Sequence, residues 1–271
     1  MNTLIKFILY IFILIPNSLL FAKEIMNYSF CNKPLSVAVY ENGFLYITEN
    51  KSGIIVDVLN EISKKTNCKF NFILMPRARS WIELKSGRID ISASGFMSSE
   101  RESYSYIIKM WNKKNFILIR KNMKVNTIED FIKNKKLEVG IVRGTYHGSK
   151  NIEDFIEKLR KENRVQESSE QTNIYLKLAN NRVQGIFGNI FVIKKYMSEI
   201  KELQGNFEIL DWALDDEKFK SGIFLSKKTF NNENFKKFEE IIDNLKKNGL
   251  IKKYIKKYLT EEEIIKFKVL D

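Results

Sequence analysis

One pattern occurs twice in this chain and restricts its fold more than any other feature. Leu84-Lys85-Ser86-Gly87-Arg88-Ile89-Asp90 reads as the end of a helix, a tight turn and the start of a buried strand. Leu178-Ala179-Asn180-Asn181-Arg182-Val183-Gln184 echoes it in the second half. A helix that delivers straight into an apolar strand is the return half of a crossover in a parallel sheet. Two such units far apart in one chain predict two lobes of similar construction.

The surrounding periodicities agree with an α/β chain. Leu35 to Val39 is an apolar strand, and Ile54, Ile55, Val58, Leu59 and Ile62 recur at helical spacing up to Asn67, where a left-handed stop is expected. Phe70 to Leu74, a helix around Trp81 and Leu84, and the strand Ile89 to Ala93 continue the alternation. Phe116 to Ile119 is a further strand, after which Thr127 with Asp130 three residues on caps a helix. From Leu137 a second series begins: strand Leu137 to Val142, helices through Phe155 and Tyr175, and strand Val183 to Phe187. Ile223-Phe224-Leu225 leads into a helix carrying Phe235, Phe238, Ile241, Ile242 and Leu245, stopped by Gly249. Thr260 with Glu263 caps a last helix.

At 271 residues and 44% hydrophobic composition the chain can bury the cores of two modest domains. Residues 1–22 read as a secretory signal peptide: Lys6 is the only charge, Phe7 to Ile15 is unbroken apolar, and small Ala22 stands at the cut. The alternative is a retained anchor, although Pro16 and Asn17 interrupt a run already short for a full span. No small-residue lipobox precedes a cysteine, so a free periplasmic protein is expected. The net charge of +13, +12 without Lys6, invites a nucleic-acid reading. The lysines are instead scattered over amphipathic segments such as Phe235-Lys236-Lys237-Phe238, and no recognition motif is present. A positive field of this kind favours anionic ligands or anionic membrane surfaces.

Cys31 and Cys68 are an even pair in an exported chain, one before each of the first two strands. A right-handed crossover makes those strands parallel neighbours and sets the cysteines side by side. A disulfide between them is expected, with two buried free thiols as the alternative. His147 is the single histidine and, with two distant cysteines, builds no zinc site. G-x-S-x-G, H-E-x-x-H and Walker sequences are absent, so neither metal, cofactor nor catalysis is expected, and His147 itself reads as an exposed residue at a helix start.

Arg101, in Ser99-Glu100-Arg101 beyond the strand, is the leading binding residue, because a planar guanidinium grips a carboxylate with two parallel charge-assisted bonds. Its bland alternative is a surface pairing with Glu100 or Glu102. Ser94 and Gly95 follow the same strand, where ligands of α/β sheets bind, and offer a hydroxyl and a close backbone approach. Gly144-Thr145 follows the second lobe's first strand and precedes a helix, a placement that favours an anion, as an ordinary capped turn also would. Tyr40, Phe44 and Tyr46 after the first strand serve equally as a ligand wall or as lobe core.

These stretches, together with Leu35 to Val39, Gly53 to Val58, Val139 to Thr145 and Asn248 to Tyr254, resemble the family 3 extracytoplasmic solute-binding proteins, the polar amino-acid binders of bacterial ATP-driven importers. The resemblance implies a type II periplasmic binding protein fold with a discontinuous first lobe, 23–119 and 223–271, around a second lobe, 120–222. Hinges are then expected near Ile119 to Asn122 and Gly222 to Ser226. It implies a ligand carboxylate held by Arg101, Ser94, Gly95 and Thr145, an aromatic wall that includes Tyr46, a monomer, and an ABC permease as partner. The chain departs from the family pattern in three places: the stretch between Asp90 and Arg101 is one residue short, with Phe96-Met97 where a serine or threonine usually donates, and two single positions differ. Asn189 stands where an aspartate usually pairs with the ligand's ammonium, and Arg77 stands near the usual stacking ring. The two single-position departures favour anionic over neutral or basic amino acids. Rival uses of the same fold are a dehydratase-like enzyme with Glu41 or Glu100 as acid or base, and a free sensory subunit.

Overall fold

The computed structural model describes residues 25–213 and 221–270; the expected leader at 1–22 lies outside the described residues. In chain order, β1 (Leu35–Val39), α1 (Ile54–Lys65), β2 (Phe70–Leu74), α2 (Arg77–Ser86), β3 (Ile91–Phe96), α3 (Ser99–Tyr104) and β4 (Ser105–Ile108) build the first lobe. Then β5 (Asn115–Arg120), α4 (Ile128–Lys133), β6 (Val139–Val142), α5 (Lys150–Lys161), β7 (Val165–Ser168), α6 (Gln171–Ala179), β8 (Gly185–Asn189), α7 (Ile190–Glu199) and β9 (Phe207–Leu210) build the second. The chain returns through β10 (Ser221–Ser226), α8 (Asn232–Lys247), α9 (Leu250–Ile255) and α10 (Glu261–Lys266).

The two sheets share one plan. Their orders are β2-β1-β3-β10-β4 and β7-β6-β8-β5-β9, so three parallel strands lead each sheet and an antiparallel strand fills the fourth place. That fourth strand is always the one that has just crossed over. β5 enters from the first lobe and pairs with β8 and β9, whereas β10 returns and pairs with β3 and β4. Phe116 to Ile119 therefore belongs to the second sheet, and the expected boundary at Ile119 moves back to the stretch 109–114. An apolar run looks the same whichever sheet takes it, and only the pairing decides. The return likewise precedes Ser221, so Gly222 to Ser226 lies within a strand of the first sheet.

Local signals explain most element ends. Gly87 stops α2 in the left-handed conformation, and Thr127 and Thr260 form reciprocal capping boxes with Asp130 and Glu263. The end of α1 differs from expectation. Thr66 closes it with extended backbone and a hydroxyl bond to Ile62, leaving Asn67 to accept from the Tyr28 amide. Cys31 and Cys68 are joined as a disulfide with 4.6 Å between Cα atoms, beside the β1–β2 pairing that starts at Leu35 and Phe70.

One apolar cluster fills the first lobe between its sheet, α1, α8 and α9, a smaller one of Trp81, Leu84, Tyr104 and Phe224 joins α2 and α3 to β10, and the second sheet carries a cluster on each face. The first cluster also takes in Ile190 and Phe191 from α7 of the second lobe. Phe191 lies edge-on to Trp111, 5.7 Å between centroids, and its carbonyl accepts from the Phe44 amide. Buried Lys195, one helical turn on, faces Glu41 and Glu49 of the first lobe at 3.5 and 3.6 Å and bonds Glu199. The two lobes thus meet through an apolar plug and an ion-pair network. Among the described residues no helix is long and apolar enough to cross a membrane.

Candidate functional site

The carboxyl ends of β3, β6 and β8 face one another across the interlobe cleft, and the crossing strands begin there: Phe96 pairs with Ser221 and Asn189 with Asn115. Arg101 reaches this cleft from α3, a short helix whose Ser98 cap accepts from the Arg101 amide. The guanidinium lies 3.8 Å over the Trp81 ring, and it donates through Nη1 to the Phe96 carbonyl at 2.6 Å and through Nη2 to the Gly144 carbonyl at 3.3 Å. Phe96 belongs to the first lobe and Gly144 to the second, so this one side chain touches both. Burial lowers its pKa from the ordinary arginine value, yet a guanidinium stays charged at neutral pH.

Two glycines make that placement possible. Gly95 lines the cleft, and a Cβ on it would sit 2.5 Å from a ring carbon of Trp81, so its missing side chain makes room for the indole that carries Arg101. Gly144, at φ +79°, lies against Ala78 of α2, where a Cβ would meet backbone at 2.7 Å. Lobe contact and left-handed backbone coincide at this residue.

Arg77 opens α2 and is buried in the cleft, stacked 4.4 Å over Tyr40 with Nη2 on the Asn42 side-chain oxygen. The Tyr40 hydroxyl in turn donates to the Ser94 carbonyl. Ser94 sits just behind the cleft wall, its hydroxyl accepting from Lys113 Nζ at 3.0 Å. Lys113 is 5% exposed, lies 4.7 Å from the Phe96 ring centre, and has its pKa pushed well down by burial and then by Arg77 and Arg101. The sequence reading passed over it. Its available signal was position: a segment crossing between lobes has to pass the floor of the cleft.

Asn189 lines the cleft, but its oxygen caps α7 by accepting from the Phe191 and Val192 amides. The carbonyl expected to face a ligand is thereby committed, and the amide N–H₂ is what remains to offer. Thr145 also lines the cleft, in a turn whose amide is spent on Val142, and α5 begins only at Lys150; Thr145 is not at a helix start as expected. His147 is buried rather than exposed. Its Nδ1 lies 3.0 Å from Glu153 and its ring packs edge-on to Phe187, while its carbonyl accepts from Asn115. Burial opposes charge on Glu153, but the His147 bonds outweigh it and hold the carboxyl below its ordinary value. Tyr46 is a correction: it lies in the first lobe's apolar cluster and not on the cleft, as does Phe44, stacked on Tyr258. Tyr40 alone of the three stands at the site.

Neither carboxylate considered for acid–base work lines the centre of the cleft around Arg101, although Glu41 lines the adjoining interlobe space beside Arg77. Glu41 is occupied by the Gly43 and Thr48 amides and the Thr48 hydroxyl, and Glu100 is exposed near Lys85. Among the described residues no cluster of histidine, cysteine and acid side chains suits a metal. The free space at the cleft centre is about 20 Å³, room for a single water, so a solute reaches Arg101 there only as the lobes part or side chains move, whereas an adjoining interlobe space of about 360 Å³ lies between Tyr40, Arg77 and Gln171.

Comparison with known proteins agrees with this architecture. Residues 35–261 match the bacterial extracellular solute-binding proteins, family 3. The chain belongs to that family. A relative of this family 3 protein is a probable histidine-binding protein of Campylobacter jejuni, 26% identical over 218 residues, covering 78% of this chain and 77% of that one. Solved structures share the fold. An ancestral arginine-binding protein bound to arginine superposes with TM-score 0.68 at 21% identity, covering 85% of this chain and 100% of its own. A histidine kinase sensor domain with similarity to periplasmic binding proteins gives 0.69 at 15%, covering 89% and 99%. The substrate binding protein of an amino acid ABC transporter gives 0.66 at 18%, covering 84% and 99%. The family and these relatives are described by what they bind or sense.

Proposed function

We propose that this family 3 protein is the periplasmic solute-binding component of an ABC importer, a monomer that closes its lobes on a small carboxylate-bearing solute and delivers it to a permease. The observation that carries the reading is Arg101, a buried guanidinium in contact with the first lobe at Phe96 and the second at Gly144. A carboxylate received there bonds to the arginine while the lobes close around it, so capture and closure are one event. A micromolar solute needs about −8 kcal/mol, within reach of a desolvated arginine pair, several donors and aromatic burial. The relatives named for histidine, arginine and an amino acid ABC transporter support a carboxylate-bearing ligand.

No chemistry is performed in this reading, which is supported by the bonds that hold Glu41 to the Thr48 amide and hydroxyl and by the exposed position of Glu100. Mass spectrometry of material released from gently purified, denatured protein tests it. The expected result is a small carboxylic acid, recovered unchanged on re-incubation with the protein and absent from the Arg101→Ala variant. A modified product would support the dehydratase-like alternative. Loss of uptake of the identified solute on gene deletion separates transport from sensing.

A further inference from the structure

Three cations and a set of unsatisfied donors converge on the end of β3. Lys113 is bonded to the Ser94 hydroxyl, Arg101 to the Phe96 carbonyl, and Arg77 rests on Tyr40, which itself bonds the Ser94 carbonyl. Among the described residues that line the centre of the cleft there is no aspartate or glutamate; Glu41 and Glu170 line the adjoining interlobe space on the far side of Arg77. Three nitrogens lining the cleft centre are buried without a partner: Arg77 Nε, Trp81 Nε1 and Asn42 Nδ2. Every one of them is a donor, and an unpaired buried donor is costly until an acceptor arrives. Of the side-chain oxygens that could receive an ammonium, that of Asn189 is taken by the α7 amides and that of Asn42 by Arg77, and those of Asn115, Gln171 and Thr145 are neutral and offer an ammonium no ionic partner.

Resting on the solute-binding reading above, we infer that the solute is a small dianion without a free ammonium, of the dicarboxylate or N-acylated acidic amino acid class, with one anionic group on Arg101 and the second neutralised by Lys113 together with Arg77. A monoanion on Arg101 leaves Arg77 uncompensated and gives buried Lys113 no partner for its charged form. A zwitterion adds a further positive charge beside two guanidinium charges and a lysine whose protonated form burial already opposes. Two anionic groups meet the cations, and their acceptor oxygens meet the orphan donors. This separates the chain from the relatives named for histidine and arginine, whose ligands carry an ammonium.

The test is calorimetric titration of the purified protein with glutarate, succinate, N-acetylglutamate, N-acetylglutamine, glutamate, glutamine, histidine and arginine. The dianions without ammonium should bind about tenfold or more tightly than glutamate, glutamine or N-acetylglutamine, with histidine and arginine silent. Lys113→Met, its folding checked by thermal melting, should weaken N-acetylglutamate about tenfold or more and leave N-acetylglutamine within about twofold. Glutamine, histidine or arginine binding as tightly as the dianions overturns the inference and leaves the solute-binding reading standing. So does a Lys113→Met variant that weakens N-acetylglutamate and N-acetylglutamine alike. Should Lys113→Met fail to fold, the ranking on the unmutated protein decides alone. A panel on which nothing binds, joined to no carboxylic acid in the released material, overturns both.

Discussion

Arg164 and the cleft arginines are all buried, and they are buried in opposite ways. In the second lobe Arg164 spends each of its five N–H donors: Nε on Leu137, one terminal nitrogen on Ile132 and Glu162, the other on Phe131 and Asn134. Four of those acceptors are carbonyls around the end of α4, so the guanidinium stitches a helix end to β6 and is complete in itself. Arg77 makes one side-chain bond and keeps a buried Nε unpaired, and Arg101 lies over an indole with bonds to a carbonyl of each lobe. A structural arginine brings its acceptors from its own fold. A binding arginine leaves acceptors to be supplied from outside, at a cost to stability that ligand recovers.

The sharpest break in the comparison is Arg164→Met. It strips four carbonyls and Glu162 of a shared donor and should destabilise the second lobe by about 3 kcal/mol or more in urea unfolding, with the affinity of the folded fraction unchanged. A loss below about 1 kcal/mol would mean that water replaces the guanidinium freely. The converse substitution, Arg101→Ala, should weaken solute binding about a hundredfold or more, while the midpoint of unfolding in the absence of solute stays close to that of the parent. An affinity within a few-fold of the parent would remove Arg101 from the site. Asn189→Asp is milder. An aspartate caps α7 as well as asparagine does and adds the missing negative charge, so relative affinity should shift toward amino acids with a free ammonium by about tenfold in paired titrations. The smallest effect concerns the partner of Arg164. Lys135 first and then Arg164 hold Glu162 at about 2, below its ordinary 4.5. Stability from that pairing is therefore present above pH 4.5 and is lost as pH falls from 4.5 toward 2. Glu162→Gln should flatten that part of the melting-temperature profile and leave neutral pH nearly unaltered.

Much of the architecture was legible because periodicity is local. The repeated helix-turn-strand unit announced two sheets, and the capping boxes at Thr127 and Thr260 marked helix starts. The sheet to which Phe116 to Ile119 belongs was not legible, since an apolar strand carries no mark of its partner. In the cleft, Arg101 could be named because it follows a strand end, and Arg77 because the family resemblance places it near the usual stacking ring. Tyr46 could not be told from core, because Tyr40, Phe44 and Tyr46 follow one strand and only tertiary packing sends the first to the cleft. Lys113 was missed because a long-range crossing delivers it. Asn189 was named with the wrong group facing the ligand, although the apolar helix that starts directly after it predicts an N-cap whose oxygen turns back to the helix.

The exchange of strands between the sheets also sets an order of assembly. All five strands of the second sheet lie between Asn115 and Leu210, so that lobe is complete once this contiguous segment is available. The first sheet has to wait for β10, since β4 pairs with nothing else in it. A chain emerging amino end first therefore presents its earliest strands last to completion, with β1, β2 and β3 held as an open partial sheet until the rest has crossed. The disulfide between Cys31 and Cys68 falls within that waiting part, beside the start of the β1–β2 pairing.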